Sequence, residues 1–172
     1  PSLQFAFADS TQYYVNATGG SDVNDWLSPA TAWQTLSKVS STPLLQGDTV
    51  SLLCSESWTE SLALTTLPGS PGLPVTINAY GSCPTETPTI EWVNIVSSSY
   101  VVLDGIDISS ALPGSTVSID ISNNITLQTS PISWITATCA TVVASSWVLI
   151  DGNTVSSCQN AMSIPGSEAI IS

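Results

Sequence analysis

The chain has 172 residues, enough for one domain with a buried core, and it carries one lysine, no arginine and no histidine against thirteen acidic residues, a formal charge of -12. Such a chain cannot neutralise phosphates, which excludes nucleic acid and anionic membrane surfaces as partners, and no apolar run reaches the roughly 18 residues of a membrane helix. Charged residues are only 8% while serine and threonine number 50, so hydroxyls stand where charges usually do, a surface suited to β-strands and to a secreted protein.

At the start of the chain, Leu3, Phe5 and Phe7 alternate with Gln4 and Ala6 in the manner of a strand. Ala6-Phe7-Ala8 before Asp9 has the small-residue pattern of a signal-peptidase site. Residues 1–12 are therefore expected to form an apolar arm, packed on its own domain or added as a strand to a neighbour's open sheet edge. Residues 13–172 are expected to form one β domain.

Next come Tyr13-Tyr14-Val15, a glycine-bearing loop around Gly19-Gly20, and Ser28-Pro29 followed by Trp33, Leu36 and Val39 at helical spacing. Ser28 as N-cap and Pro29 at the first helical position predict a short amphipathic helix, a lid for a solenoid end. Asp22, Asn24 and Asp25 in the loop before Trp26 offer oxygens to a structural Ca²⁺, although a solvated turn uses the same residues and is favoured. The order strand, loop, short helix, Gln46-Gly47-Asp48-Thr49-Val50, then Pro74-Val75-Thr76-Ile77-Asn78-Ala79-Tyr80-Gly81 resembles the N-terminal part of right-handed parallel β-helix proteins of the pectin-lyase-like superfamily. The resemblance covers residues 13–81; it implies the fold and a setting among polysaccharide lyases, glycoside hydrolases and surface adhesins.

The remaining chain repeats. Tyr100-Val101-Val102-Leu103-Asp104-Gly105 returns 47 residues later as Trp147-Val148-Leu149-Ile150-Asp151-Gly152, and half that period falls on Ile125-Thr126-Leu127. Rungs then begin at Val50, Val75, Val101, Ile125, Val148 and Ile170, in steps of 22 to 26 residues. That is the span of one solenoid coil and shorter than the roughly 30 residues of a strand-helix-strand unit. In Val50-Ser51-Leu52, Val75-Thr76-Ile77 and Ile125-Thr126-Leu127 apolar residues flank a hydroxyl, the alternation of a strand with one buried face. An antiparallel sandwich also has evenly spaced short strands, but no Asn-Gly or Asp-Gly turn joins adjacent runs here. The expected fold is an all-β, right-handed parallel β-helix of about six coils.

Cys54, Cys83, Cys139 and Cys158 have no histidine or CxxC companion, so disulfides are expected rather than a metal site, and with them an oxidising, extracellular compartment. Cys54 and Cys83 follow adjacent rungs and Cys139 and Cys158 belong to adjacent coils, which favours local pairing among three open connectivities. Sequons at Asn16 and Asn124 are as many as chance provides.

Catalytic candidates are few. Lyases of the resembled superfamily use Lys or Arg as base with a cation beside the uronate carboxylate, and Lys38 stands alone on the expected helix. Its hydrolases use clustered carboxylates, for which Asp104, Asp107, Asp120 and Asp151 are available. Asp104 and Asp151 sit at one rung position two coils apart, roughly 9.6 Å, yet each precedes a glycine at a turn, where Asp is favoured for its own backbone bonding. Trp58, Trp92, Trp134 and Trp147 could form a platform for sugar rings; Ile90 and Trp92 in phase make core or groove packing the default for Trp92.

The last rung, Ile170-Ile171, ends the sequence without a polar cap. With Ile164 it is expected to leave an open end that the arm of another copy covers, giving a non-enzymatic, extracellular filament or surface subunit assembled head-to-tail. A secreted polysaccharide-binding or polysaccharide-degrading β-helix is the alternative.

Overall fold

The computed structural model describes residues 10–83, 86–110, 117–130, 132–134, 138–153, 155–156, 160–163 and 169–171. Leu3, Phe5, Phe7, Cys158 and Ile164 lie outside them. Nearly all regular structure is parallel strand.

One seven-stranded sheet runs in the order β1 (Gln12–Val15), β2 (Thr49–Leu53), β4 (Val75–Tyr80), β6 (Ser99–Asp104), β9 (Asn123–Gln128), β12 (Ser146–Asp151) and β15 (Ala169–Ile171). A second contains β3 (Ser57–Thr65), β5 (Thr89–Val96), β7 (Asp107–Ser110), β8 (Val117–Asp120), β10 (Ile132–Trp134), β11 (Thr138–Val143), β13 (Val155–Ser156) and β14 (Asn160–Ser163). Its pivot is β5, whose first residues pair with β7 and whose last four pair with β8. Two rows of strands diverge from it, β7–β10–β13 and β8–β11–β14.

All six expected rungs lie in the first sheet. Val75, Val101, Ile125 and Val148 form one in-register column and Ile77, Leu103, Leu127 and Ile150 the next. Two spacings need correction. Val50 pairs with Ile77 rather than Val75, and Val148 with Ala169 rather than Ile170. Strands were assumed to begin on an apolar residue, but the ladder is set by backbone hydrogen bonds, and Asp48 bonds opposite Val75 through its carbonyl to Thr76 N at 2.9 Å.

The columns are the core. Ile77, Leu103 and Leu127 on one sheet face Leu64, Ile95, Ile119 and Val142 on the other, all at 1% exposure or less. A single strand pair cannot bury so much aliphatic surface, so each rung is stabilised by its neighbours in the sheet.

The single helix expected from Ser28 is two pieces, a 3-10 turn at Pro29–Thr31 and α1 (Leu36–Ser40). Trp33 lies between them in a parallel bridge with Val15, donating to Tyr14 O at 2.8 Å while its own carbonyl accepts from Asn16 N at 2.8 Å. Asp22 then takes the freed donors: Oδ1 accepts from Gln34 N and Thr35 N, and Oδ2 from the Thr35 hydroxyl at 2.7 Å. Helical spacing missed this because the backbone groups of 33–35 find partners outside the helix. Thr35, not Ser28, supplies the side-chain cap, accepting from Lys38 N at 3.0 Å.

Corners repeat as the strands do. Ser98, Ser122 and Ser145 are buried just before the successive strands β6, β9 and β12, each preceded by a residue of positive φ, namely Ser97, Ile121 and Ala144. Ser98 N donates to Ser122 Oγ at 3.2 Å and Ser122 N to Ser145 Oγ at 3.1 Å, while each hydroxyl donates to a carbonyl two residues back. Ser122→Ala strands the Ser98 amide in the core, and we expect a loss of about 1–3 kcal/mol, read as a lower urea midpoint at unchanged m-value.

Candidate active site

A cleft of about 300 Å³ opens where three strands of the second sheet begin, lined by Ser55, Ser57, Glu86, Thr87, Thr89 and Asp107. Ser57, Thr89 and Asp107 are register partners on β3, β5 and β7, so three polar side chains stand in a row one strand spacing apart, roughly 4.8 Å. Immediately inside them Trp58, Ile90 and Ile108 form the next row, buried at 4% or less. The row therefore sits on a rigid, apolar floor. This alternation needs no special sequence signal beyond polar–apolar pairs at three strand starts.

Glu86 reaches the cleft from a loop that the chain ties down twice. A disulfide joins Cys54 to Cys83, with Cα atoms 5.4 Å apart, and Ser55 N donates to the Glu86 carbonyl at 3.3 Å. The loop continues through Pro88, whose carbonyl accepts from Asp107 N at 2.9 Å. The same short segment thus places both carboxylates on one cavity wall.

The two carboxyls differ in setting. Glu86 is exposed. Burial pushes the Asp107 carboxyl above the usual carboxylate range, opposed in part by a hydrogen bond from the Ser109 hydroxyl, and Asp107 Oδ1 is buried without a hydrogen-bond partner. A buried carboxyl oxygen lacking a donor favours the protonated form. Glu86 lines the same cleft with its side chain open to solvent.

The other carboxylates named from sequence do not enter the cleft. Asp104 accepts a hydrogen bond from the Thr129 hydroxyl and faces Asp151 across the intervening Gln128 in the rung ladder. Asp120 uses its backbone carbonyl to hold Ser97 N at 3.0 Å and the Ser122 hydroxyl at 2.8 Å. Lys38 lies over the Trp33 ring, 5.3 Å from its centroid, and is not part of the cleft lining. Glu86 escaped sequence reading because its loop falls between rungs; its position three residues past Cys83 was the available signal.

Remaining candidates have structural employment. In the proposed calcium loop Asp22 is spent on residues 34 and 35, Asn24 Nδ2 donates to Ala32 O at 3.0 Å, and Asp25 accepts from Leu27 N. The three are directed apart rather than toward a common ion. Burial raises the Asp22 carboxyl, but hydrogen bonds from Thr35 and Gln34 outweigh it and hold the group below the usual range. Asn16 Oδ1 accepts from Thr18 N and Gly19 N in a tight turn. Cys139 is disulfide-bonded. Trp58 is core, donating its indole N–H to Gln34 O at 2.9 Å. Trp92 is half-buried and outside the core: the buried set on β5 changes parity between Ile90 and Val93, where the pairing with β3 is irregular, so those two point inward and Trp92 does not. The side chain of Trp134 lies outside the described residues.

No family model and no curated protein matches the chain. Solved structures do. The native GH136 lacto-N-biosidase from Eubacterium ramulus superposes with a TM-score of 0.71 at 16% identity, over 92% of this chain and 36% of that one; its selenomethionine derivative gives 0.65 at 16%, over 84% and 34%. A rhamnogalacturonan lyase gives 0.57 at 13% identity, over 92% and 56%. The chain spans about a third to just over half of these proteins, and at such identities the likeness is one of fold, shared with β-helix proteins.

This overturns the expectation of a non-enzymatic chain. The proteins that share the fold are a lacto-N-biosidase and a rhamnogalacturonan lyase, both enzymes by name. Among the described residues nothing supports head-to-tail polymerisation: the arm lies outside them, and of the expected open end only the backbone of Ile170 and Ile171 is described, paired with β12.

Proposed function

We propose that the chain is a secreted, glycan-cleaving parallel β-helix of about six right-handed coils, hydrolysing a glycosidic bond with Asp107 as general acid and Glu86 as the second carboxylate. The observation that carries this reading is the buried, unpartnered Asp107 oxygen on a cleft that Glu86 also lines. Asp107 gives its proton to the leaving glycosidic oxygen as the bond to the anomeric carbon breaks. Glu86 takes a proton from the incoming water, or attacks that carbon first and is released by water; the two routes differ in product stereochemistry. Ser57 and Thr89, in register beside Asp107, are placed to hydrogen-bond sugar hydroxyls.

Elimination is disfavoured because no lining residue is cationic, and an enolate-like intermediate needs a positive partner. The charge of -12 also repels polyuronates, so neutral glycans are the expected substrates. The fold neighbours and the disulfides support an extracellular glycan-acting role.

The test is incubation with neutral and acidic polysaccharides and oligosaccharides, following reducing ends and unsaturated products separately, with the Glu86→Gln/Asp107→Asn double variant as control. New reducing ends that the double variant does not produce are expected. Unsaturated products, or equal release by both proteins, would overturn the assignment.

A further inference from the structure

A second groove, of about 290 Å³, lies on the other sheet, away from the strand starts that form the cleft. Its floor is a single register column: Tyr100 on β6, Asn124 on β9 and Trp147 on β12, each between paired residues that fix the alignment. Val102 and Thr126 extend the floor by one more position on their strands. One side is walled by the turn at residues 70–74, closed by an antiparallel bridge between Ser70 and Leu73 and tied by the Ser70 hydroxyl to Gln46 Oε1 at 3.0 Å. Gly69, leading into that turn, approaches the Tyr100 carbonyl too closely to carry a side chain, so wall and floor are in backbone contact.

Two facts about this column are not explained by packing. Trp147 is 63% exposed, although burying an indole is among the larger gains available to a fold. All three residues have positive φ, 51° at Tyr100, 52° at Asn124 and 55° at Trp147. Asn suits that conformation, whereas a bulky aromatic in it is costly. Two of three successive coils thus place a large flat ring, at some expense, where the backbone favours Asn or Gly.

The rings are two rungs apart, roughly 9.6 Å, a length that two consecutive pyranose units span. Asn124 lies between them with amide donors and an acceptor carbonyl, and Thr126 adds a hydroxyl. No lining residue is charged, in a protein of net charge -12. Flat apolar faces interleaved with neutral hydrogen-bonding groups match the alternating C–H faces and equatorial hydroxyls of sugars, and the surrounding negative charge turns away acidic chains.

We propose that this groove is a binding site for a neutral glycan chain lying along the stack of coils, its rings packed on Trp147 and Tyr100 and its hydroxyls bonded to Asn124 and Thr126. It is separate from the cleft and holds a polysaccharide without cleaving it. Its existence does not depend on the hydrolase assignment.

The experiment uses the full chain made without N-glycosylation, so that Asn124 is bare, titrated with cellohexaose, xylohexaose, mannohexaose and trigalacturonic acid while indole fluorescence is followed. Saturable binding of at least one neutral hexaose is expected, weakened about tenfold or more by Trp147→Ala and unchanged by Leu27→Ala, an exposed apolar residue outside both the cleft and the groove. Because Trp147 is exposed, Trp147→Ala should keep its melting temperature, which separates lost binding from lost folding. Absence of binding to all three neutral hexaoses, equal affinity in Trp147→Ala, or preference for trigalacturonic acid would each overturn the proposal.

Discussion

Replacing Asp107 by asparagine is expected to lower glycan cleavage by about 10²–10⁴-fold while raising the melting temperature at pH 7. The first effect follows from removing a cleft carboxyl that burial biases toward its protonated form, since general acid catalysis contributes about that much. The second follows from linkage. Burial raises the native pKa of Asp107, so folding favours the protonated form. The corresponding stability is complete below the unfolded carboxylate value of about 3.9 and is lost as the pH rises through the native value. Asparagine is neutral throughout. The melting temperature of Asp107→Asn minus that of the parent should therefore be positive at pH 7 and shrink toward zero at pH 3. A residue kept at a cost in stability and needed for activity is the signature of a working site. A variant that is less stable at pH 7, or as active as the parent, would remove Asp107 from the mechanism.

Leu103→Ala is expected to cost about 2–5 kcal/mol, the range for truncating a fully buried leucine whose surroundings relax only in part. Leu103 is at 0% exposure, stacked between Ile77 and Leu127 in one column. Each neighbour is itself held by its own rung, so the column cannot close over a missing side chain. For a chain of this size, about 2–4 °C of melting temperature per kcal/mol puts the shift at roughly 5–20 °C. Val102→Ala on the same strand provides the contrast. Val102 faces the outer groove, half-buried, and its truncation should fall within about 1 kcal/mol. Equal losses from the two substitutions would show that the alternation along β6 does not define inside and outside.

Much of the scaffold was legible before any coordinates. Val75-Thr76-Ile77 and Ile125-Thr126-Leu127 announce their buried faces because strand side chains alternate with period two, and a shift of one residue would expose the whole set. The 47-residue echo of Tyr100-Val101-Val102-Leu103-Asp104-Gly105 in Trp147-Val148-Leu149-Ile150-Asp151-Gly152 is legible for the same reason, since stacked coils need similar residues at equal positions. Cys54 and Cys83 pair as their place after adjacent rungs indicated.

The second sheet was less legible. Trp92 shares parity with Ile90, yet it turns from the core because β5 changes parity between Ile90 and Val93, where its pairing with β3 is irregular and the buried set passes to Val93 and Ile95. The helix expected from Ser28 to Val39 was broken by groups distant in sequence, Tyr14 and Asp22, that capture the backbone of Trp33, Gln34 and Thr35.

The sequence by itself determined the repeat, the β character, the alignment of the four central rungs and the lack of cationic side chains for catalysis, because these depend on composition and on side-chain periodicity within a few residues. Only the tertiary structure decided which carboxylates meet. Asp104 and Asp151 look alike and sit at equal positions, but their turns keep them in separate rungs. Asp107 and Glu86 look unrelated, but the pairing of Thr89 with Asp107 and the disulfide behind the Glu86 loop bring them to one cleft. A site assembled from the starts of different strands is a property of register between neighbouring strands, and register is set by hydrogen bonds between residues far apart in the chain.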